Sequence, residues 1–182
     1  MKVNKETKEA VIASDGDVIL RKITDADLPK MALYGNNEKV SINLRDGFPY
    51  PYTLDDAIKF KKMVDSQNPI TFFAIVYCEE YVGNISLLKG TDVYRKSAEI
   101  GYFIGEPFWN KGIATKAVNL ITQFGFENMD IVRIHTGIFA FNTASQRVLE
   151  KCGFLKEGIF KQSICKNNLM YDEIRFAKLK AE

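Results

Sequence analysis

The stretch from Ala98 to Phe139 constrains this chain more than any other. Ala98-Glu99-Ile100-Gly101-Tyr102-Phe103-Ile104 has the length and aromatic content of a strand, and Val132–Phe139 reads as another. Between them, from about Gly112 to Asn128, the residues Ile113, Ala117, Leu120, Ile121 and Phe124 share one face of a helix. A strand that runs through a glycine turn into an amphipathic helix, followed by a further strand, is α/β chemistry.

The flanking segments extend that pattern. Val18–Ile23 predicts a strand, and Thr24-Asp25-Ala26-Asp27 carries a helix-start signal for a short helix over Asp27–Tyr34. The region from Gly35 to Tyr52, with Asn36-Asn37, Asp46-Gly47 and two prolines, is expected to be loop. A second helix begins at Thr53, with Asp55 and Asp56 in its first turn, where the helix dipole favours negative charge. Thr71–Tyr77 and Tyr81–Leu88 read as a hairpin. Asn142 is expected to cap a helix over Thr143–Cys152, which Gly153 ends. Phe154–Ile164 and Leu169–Leu179 close the chain as a hairpin around Lys166-Asn167-Asn168. Seven strands and four helices in one α/β (α+β) domain with a mixed sheet result, covering 15–182 after an N-terminal extension over 1–14.

Composition narrows the function classes. A chain of 182 residues suits one domain with a substantial core. With 25 Lys plus Arg against 23 Asp plus Glu, the net charge of +2 offers no basic stripe for nucleic acid. The polar start Met1–Glu9 lacks the apolar core of a signal peptide, and no run reaches the length of a membrane span. Cys78, Cys152 and Cys165 are odd in number and widely spaced, which fits reduced cysteines of a cytoplasmic protein. His135 is the single histidine and has no cysteine pair near it, so no metal site is expected.

The turn before the central helix is the first candidate site. The leading amides of a helix lack internal partners and carry partial positive charge, so Trp109-Asn110-Lys111-Gly112-Ile113-Ala114-Thr115 is placed to hold an anion. Gly112 would let the backbone approach closely, and Lys111 and Lys116 add positive charge. A helix start without a ligand reads equally well from this segment alone.

A second segment, Asn142-Thr143-Ala144-Ser145-Gln146-Arg147 through Gly153-Phe154, follows at the distance of one helix and one strand. Together the two resemble the GNAT superfamily of acyl-CoA N-acyltransferases, whose pyrophosphate loop has the form Arg/Gln-x-x-Gly-x-Gly/Ala. Trp109 stands where Arg or Gln is usual. The pattern Trp-x-Lys-Gly-x-Ala, with Ala98–Tyr102 and Asn142-x-x-Ser145, is similar to the branch of the ribosomal-protein N-terminal acetyltransferases. The resemblance spans Val18 to Leu179 and is strongest from Glu99 to Phe154.

This resemblance implies a mostly antiparallel sheet splayed between the fourth and fifth of the seven strands, with acetyl-CoA as acetyl donor and no metal. The backbone of Tyr102, Phe103 and Ile104 would bond the pantetheine arm, and the amides of Lys111, Gly112, Ala114 and Thr115 the pyrophosphate. Asn142 would reach the pantetheine; Arg147 would meet nucleotide phosphates or remain a solvated helix charge. Acetyl transfer needs a neutral amine, a stabilised oxyanion and a protonated leaving thiolate. Glu99, on the same side of its strand as Gly101 and Phe103, is the candidate base, against a reading as a salt-bridged surface glutamate. Many relatives carry a tyrosine as the acid at the position of Leu149. Ser145 is the substitute, unless it and Asn142 only cap their helix.

The acceptor groove would lie between Asn43–Tyr52 and Ile164–Tyr171. Asp46 could attract a cationic amine, and Phe48, Tyr50 and Tyr52 could wall the pocket with Tyr171 of the hairpin as a further substrate contact, although the loop's aromatic residues also serve to pack it onto the core. The acceptor is then a protein N-terminus, a polyamine or another small amine, with no nucleic-acid or membrane partner; a homodimer stays open. A non-catalytic acyl-CoA-binding module and a transferase of longer acyl groups are the rival readings.

Overall fold

Alternation along the strands decides how the chain is layered. The structure, a computed structural model, describes residues 11–181, so only the last residues of the expected N-terminal extension fall within it. On β3 (Phe72–Tyr77), Phe73 and Ile75 turn to one side of the sheet while Ala74 and Val76 turn to the other, and all four are buried. A strand buried on both faces requires cover on each. On one face α1 (Leu28–Gly35) and α3 (Leu54–Asp65) pack Met31, Tyr34, Ala57 and Val64 against Ala74, Val76 and Tyr81. On the other, α4 (Ile113–Asn128) and α5 (Thr143–Lys151) contribute Ile113, Ala117, Ile121 and Leu149 to a core with Ile75, Leu87, Ile100 and Ile134.

The remaining strands are β1 (Val11–Asp15), β2 (Val18–Arg21), β4 (Glu80–Lys89), β5 (Ser97–Ile104), β6 (Arg133–Phe139), β7 (Leu155–Lys166) and β8 (Leu169–Leu179). They form one sheet in the order β1-β2-β3-β4-β5-β6-β8-β7. Every neighbouring pair is antiparallel except β5 with β6, which α4 connects as a crossover.

Two elements go beyond the sequence expectation. β1 pairs with β2 across a tight turn, giving eight strands rather than seven. A single helical turn, α2 (Glu38–Ser41), interrupts the stretch expected to be loop, and the Asn37 side chain caps it by accepting from the Lys39 amide at 2.8 Å. The predicted start of α3 is present in full: Thr53 and Asp56 satisfy each other's backbone amides in a capping box. At the start of α1, the buried Asp27 accepts two hydrogen bonds of 2.7 Å from Arg21, locking β2 to the helix.

The sheet opens between β5 and β6. These strands pair only at Ser97↔Arg133, Ala98↔Ile134 and Glu99↔His135. Beyond that point β5 runs on to Ile104 and β6 to Phe139 with no ladder between them. Counted from Val18, these are the fourth and fifth strands, where the splay was expected.

Candidate active site

The divergence of β5 and β6 opens a cavity of about 1610 Å³ that reaches from the start of α4, through the sheet, to the α2–α3 loop and β7. A single small-molecule site usually occupies ~300–1,000 Å³, so this space suits two substrates meeting in the gap.

At the α4 end, Asn110 (φ 61°) and Gly112 (φ 76°) both take left-handed backbone. This curls the chain into a concave run of N–H groups. The Lys116 amide is the first to bond back into the helix, to the Gly112 carbonyl, so Ile113, Ala114 and Thr115 begin α4 ahead of it. A Cβ on Gly112 would meet nothing within 4 Å, so backbone handedness rather than space is what favours glycine. The Trp109 indole N–H donates to the Ile104 carbonyl at 2.7 Å, tying this turn to the end of β5. Lys111 stays at the loop, with its ammonium 5.2 Å from the centre of the Phe108 ring. Lys116 does not: its ammonium turns to the β1–β2 turn, 3.4 Å from the Asp15 carbonyl oxygen, and so adds little charge to the loop.

On the α5 side, the Asn142 side chain accepts the Ser145 amide at 3.1 Å and caps the helix. The Ser145 hydroxyl lies 2.7 Å from the Tyr102 phenol of β5, so a hydrogen bond joins the start of α5 to β5. Burial pushes the phenol's pKa well above its usual range, and the bond to Ser145 offsets this only in part. Tyr102 therefore stays protonated. Leu149 is fully buried in the core and lines no part of the cavity. Cys152 is buried too, its thiol pushed up to about 11 by burial, and it donates to the Thr115 carbonyl between α4 and α5. Arg147 borders the cavity and forms no ion pair with a described residue.

The opposite side of the gap is lined by Glu99, Gly101 and Phe103 of β5. Glu99 forms an ion pair with the exposed Arg45 of the α2–α3 loop. Phe48 stacks on Tyr52 at 4.4 Å and meets Phe103 edge-on at 5.3 Å, so it packs the loop onto the sheet while still bordering the cavity. Asp46 accepts from the buried Lys166 ammonium at 2.9 Å, which joins this loop to the β7–β8 hairpin. Tyr50 is exposed and lines a smaller hollow of about 230 Å³ beside that pair. Tyr171 is not at the site: it packs on Phe141 and Phe139, with ring centres 5.1 and 5.9 Å away. Its neighbours are aromatic rings supplied by β6 and the turn after it, which hairpin position alone does not reveal.

Further polar groups at the cavity were not among those expected to act there. One is the Tyr102 phenol, since only its backbone was expected to contribute. Two more are Glu173 and Arg175 of β8, joined by a 2.7 Å bond from Nε to Oε2. Alternation with the core residues Ile174 and Phe176 puts both on the opposite face of the sheet, a signal present in the sequence. The buried Asn84 of β4 lies there as well, its Oδ1 without a hydrogen-bond partner. Among the described residues no group of three or more His, Cys, Asp or Glu could hold a metal, and no helix is long and apolar enough to cross a membrane.

Comparison with known proteins agrees with this architecture. Residues 17–155 match the model of the acetyltransferase (GNAT) domain family. The chain is 30% identical to the uncharacterized N-acetyltransferase YnaD of Bacillus subtilis, over 91% of this chain and 95% of that protein. It is 34% identical to the uncharacterized N-acetyltransferase p20 of Bacillus licheniformis, over 90% and 93%. A GNAT-family acetyltransferase from Bacillus anthracis superposes with a TM-score of 0.81 at 26% identity, covering 93% of this chain and 98% of that one. The fold is also that of RimL, a ribosomal L7/L12 α-N-protein acetyltransferase solved with coenzyme A, at a TM-score of 0.82 and 21% identity over 93% and 97% of the two chains. The chain belongs to the GNAT family of N-acetyltransferases.

Proposed function

We propose that the protein transfers the acetyl group of acetyl-CoA to a primary amine, by direct attack with both substrates bound. The splay of β5 from β6, ending at a left-handed turn and a helix N-terminus, is the observation that carries this reading. Solved structures of the same fold are complexes with coenzyme A, and with acetyl-CoA and AMP.

The residues fit a coenzyme A thioester. The unpaired edge of β5 from Tyr102 to Ile104 offers backbone groups to an extended amide chain, as a further strand would. The Ile104 carbonyl already accepts from Trp109 and has one lone pair left for that purpose. The amides from Lys111 to Thr115 suit a pyrophosphate, with Arg147 free to meet a phosphate at the cavity edge. When bound, the cofactor supplies an activated acetyl group on a good leaving sulfur. With Tyr102 donating to Ser145, the Ser145 hydroxyl is directed into the cavity, where it can protonate that sulfur and be recharged by the phenol.

The acceptor enters from the opposite side, between the α2–α3 loop and the β7–β8 hairpin. Its amine meets Glu99 and Glu173, whose carboxylates attract a cation or an N–H donor. A protein N-terminus and a small amine or polyamine both satisfy that chemistry. A thiol-release assay with acetyl-CoA and a panel of peptides, diamines and polyamines tests the reading. Release of CoA that depends on the acceptor supports it; tight acetyl-CoA binding without such release would leave only a binding module.

A further inference from the structure

We propose that Glu173 of β8, rather than Glu99 alone, is the base that takes the proton of the acceptor amine. The inference rests on the acetyl-transfer reading and deepens it.

The geometry begins with two glycines. The last pair between β5 and β6 is Glu99↔His135, so Gly101 and Gly137 stand two residues further on, level with each other across the opening gap. Neither places a side chain over the gap, and this is where an acetyl group coming from one side meets an amine coming from the other. The bareness of Gly137 is used: a Cβ there would overlap Oε1 of Glu173, so the carboxylate lies directly over the β6 backbone at the gap. Any side chain at 137 would displace it.

The same carboxylate is held as a base would need to be. The Glu173 side chain is only 9% exposed, and Arg175 Nε bonds Oε2 at 2.7 Å, giving a buried charge its partner. Oε1 receives no hydrogen bond from a described residue, and Glu173 borders the cavity. Glu99, by contrast, is 27% exposed and is engaged by Arg45, which can swing into solvent. The other ionisable groups facing this region are His135 and Arg133 of β6, Glu157 of β7, and Lys166 of β7 with its partner Asp46. None of them lies over Gly137.

The proton balance then closes. An ammonium acceptor gives one proton to Oε1 and becomes a nucleophile; the carboxyl passes that proton to solvent through the acceptor mouth. The nitrogen lone pair forms the C–N bond at the thioester carbonyl carbon as the C–S bond breaks. The second N–H proton goes to the re-ionised carboxylate, while the sulfur is protonated from the Ser145–Tyr102 pair; the carboxyl then loses this proton to solvent and the hydroxyl pair takes one up, which resets both groups. One proton is released overall, with CoA as the thiol and the acceptor as its amide.

The test compares wild type, Glu173→Gln, Glu173→Asp and Glu99→Gln from pH 6 to 9.5, by acceptor-dependent CoA release and by acetyl-CoA affinity. Glu173→Gln should keep wild-type acetyl-CoA affinity, which shows an intact fold. Its kcat/KM should fall about 10²-fold at pH 7 and recover about tenfold per pH unit, as free amine replaces ammonium, whereas the wild-type profile levels off. Glu173→Asp, with its carboxylate drawn back by one methylene, should fall in between and keep the wild-type profile shape. A Glu173→Gln profile parallel to wild type overturns the assignment, as does a larger, pH-dependent loss in Glu99→Gln alone. No acceptor-dependent release from the wild-type protein would overturn the acetyl-transfer reading itself, and this inference with it.

Discussion

The hydroxyl of Ser145 at the start of α5 and the phenol of Tyr102 on β5 stand 2.7 Å apart and join the helix to the strand. In the proposed reaction the pair would take the acid role, since Leu149 carries no hydroxyl and is sealed in the core. A single proton path shared by two hydroxyls has a definite mutational signature. Ser145→Ala should lower kcat by about 10²-fold and Tyr102→Phe by about tenfold, and the double variant should be no slower than Ser145→Ala, because groups acting as a unit are not additive. Acetyl-CoA affinity should change little. Steady-state kinetics on the three variants checks this, and multiplicative losses would separate the two hydroxyls.

The Trp109 indole holds the cofactor turn to the end of β5 through one hydrogen bond to Ile104. Trp109→Phe removes the donor while keeping an aromatic ring. One lost bond of this kind costs about 0.5–1.5 kcal/mol, so acetyl-CoA binding should weaken roughly two- to tenfold with kcat unaltered. Calorimetric titration with acetyl-CoA measures it. An unchanged affinity would make the bond incidental to the loop.

His135 sets a pH window for stability. Burial lowers its pKa below the ordinary 6.5, against an opposing pull from Glu99, so the folded state favours neutral imidazole. That contribution is complete above pH 6.5 and is lost as pH falls through the depressed folded value. Glu157, whose pKa is lowered from 4.5 chiefly by its hydrogen bond from Arg133, loses its contribution only at lower pH. Urea unfolding between pH 7 and 5 should therefore show a decline that His135→Asn flattens. An equal decline in the variant would assign the acid sensitivity to other groups.

How much of this could be read in the chain varied with the range of the forces involved. The caps at Thr53 and Asn142 and the break at Gly153 are local chemistry, and each lies where expected. α4 carries its own amphipathic period. β1 was missed because Val11–Asp15 is short, half polar and stabilised mainly by pairing with β2. α2 was missed because one helical turn between two turn-forming stretches has almost no periodic signal. The candidate site divides in the same way. The turn from Trp109 to Thr115 is a contiguous motif; the opposition of Tyr102 to Ser145, the lock of Lys166 onto Asp46 and the seat of Glu173 over Gly137 join segments far apart in the chain. Lys116 and Tyr171 show the converse, since a residue can stand near a site in sequence and turn its side chain elsewhere.

The most direct measurement is mass spectrometry of acceptors after incubation with isotopically labelled acetyl-CoA, a peptide library and polyamines. Labelled acetyl on a primary amine, in amounts that match CoA release and disappear in a Ser145→Ala, Glu173→Gln double variant, is the predicted result. Acetyl-CoA that binds the wild-type protein in the β5–β6 gap yet labels no amine at any pH from 6 to 9.5 would contradict it.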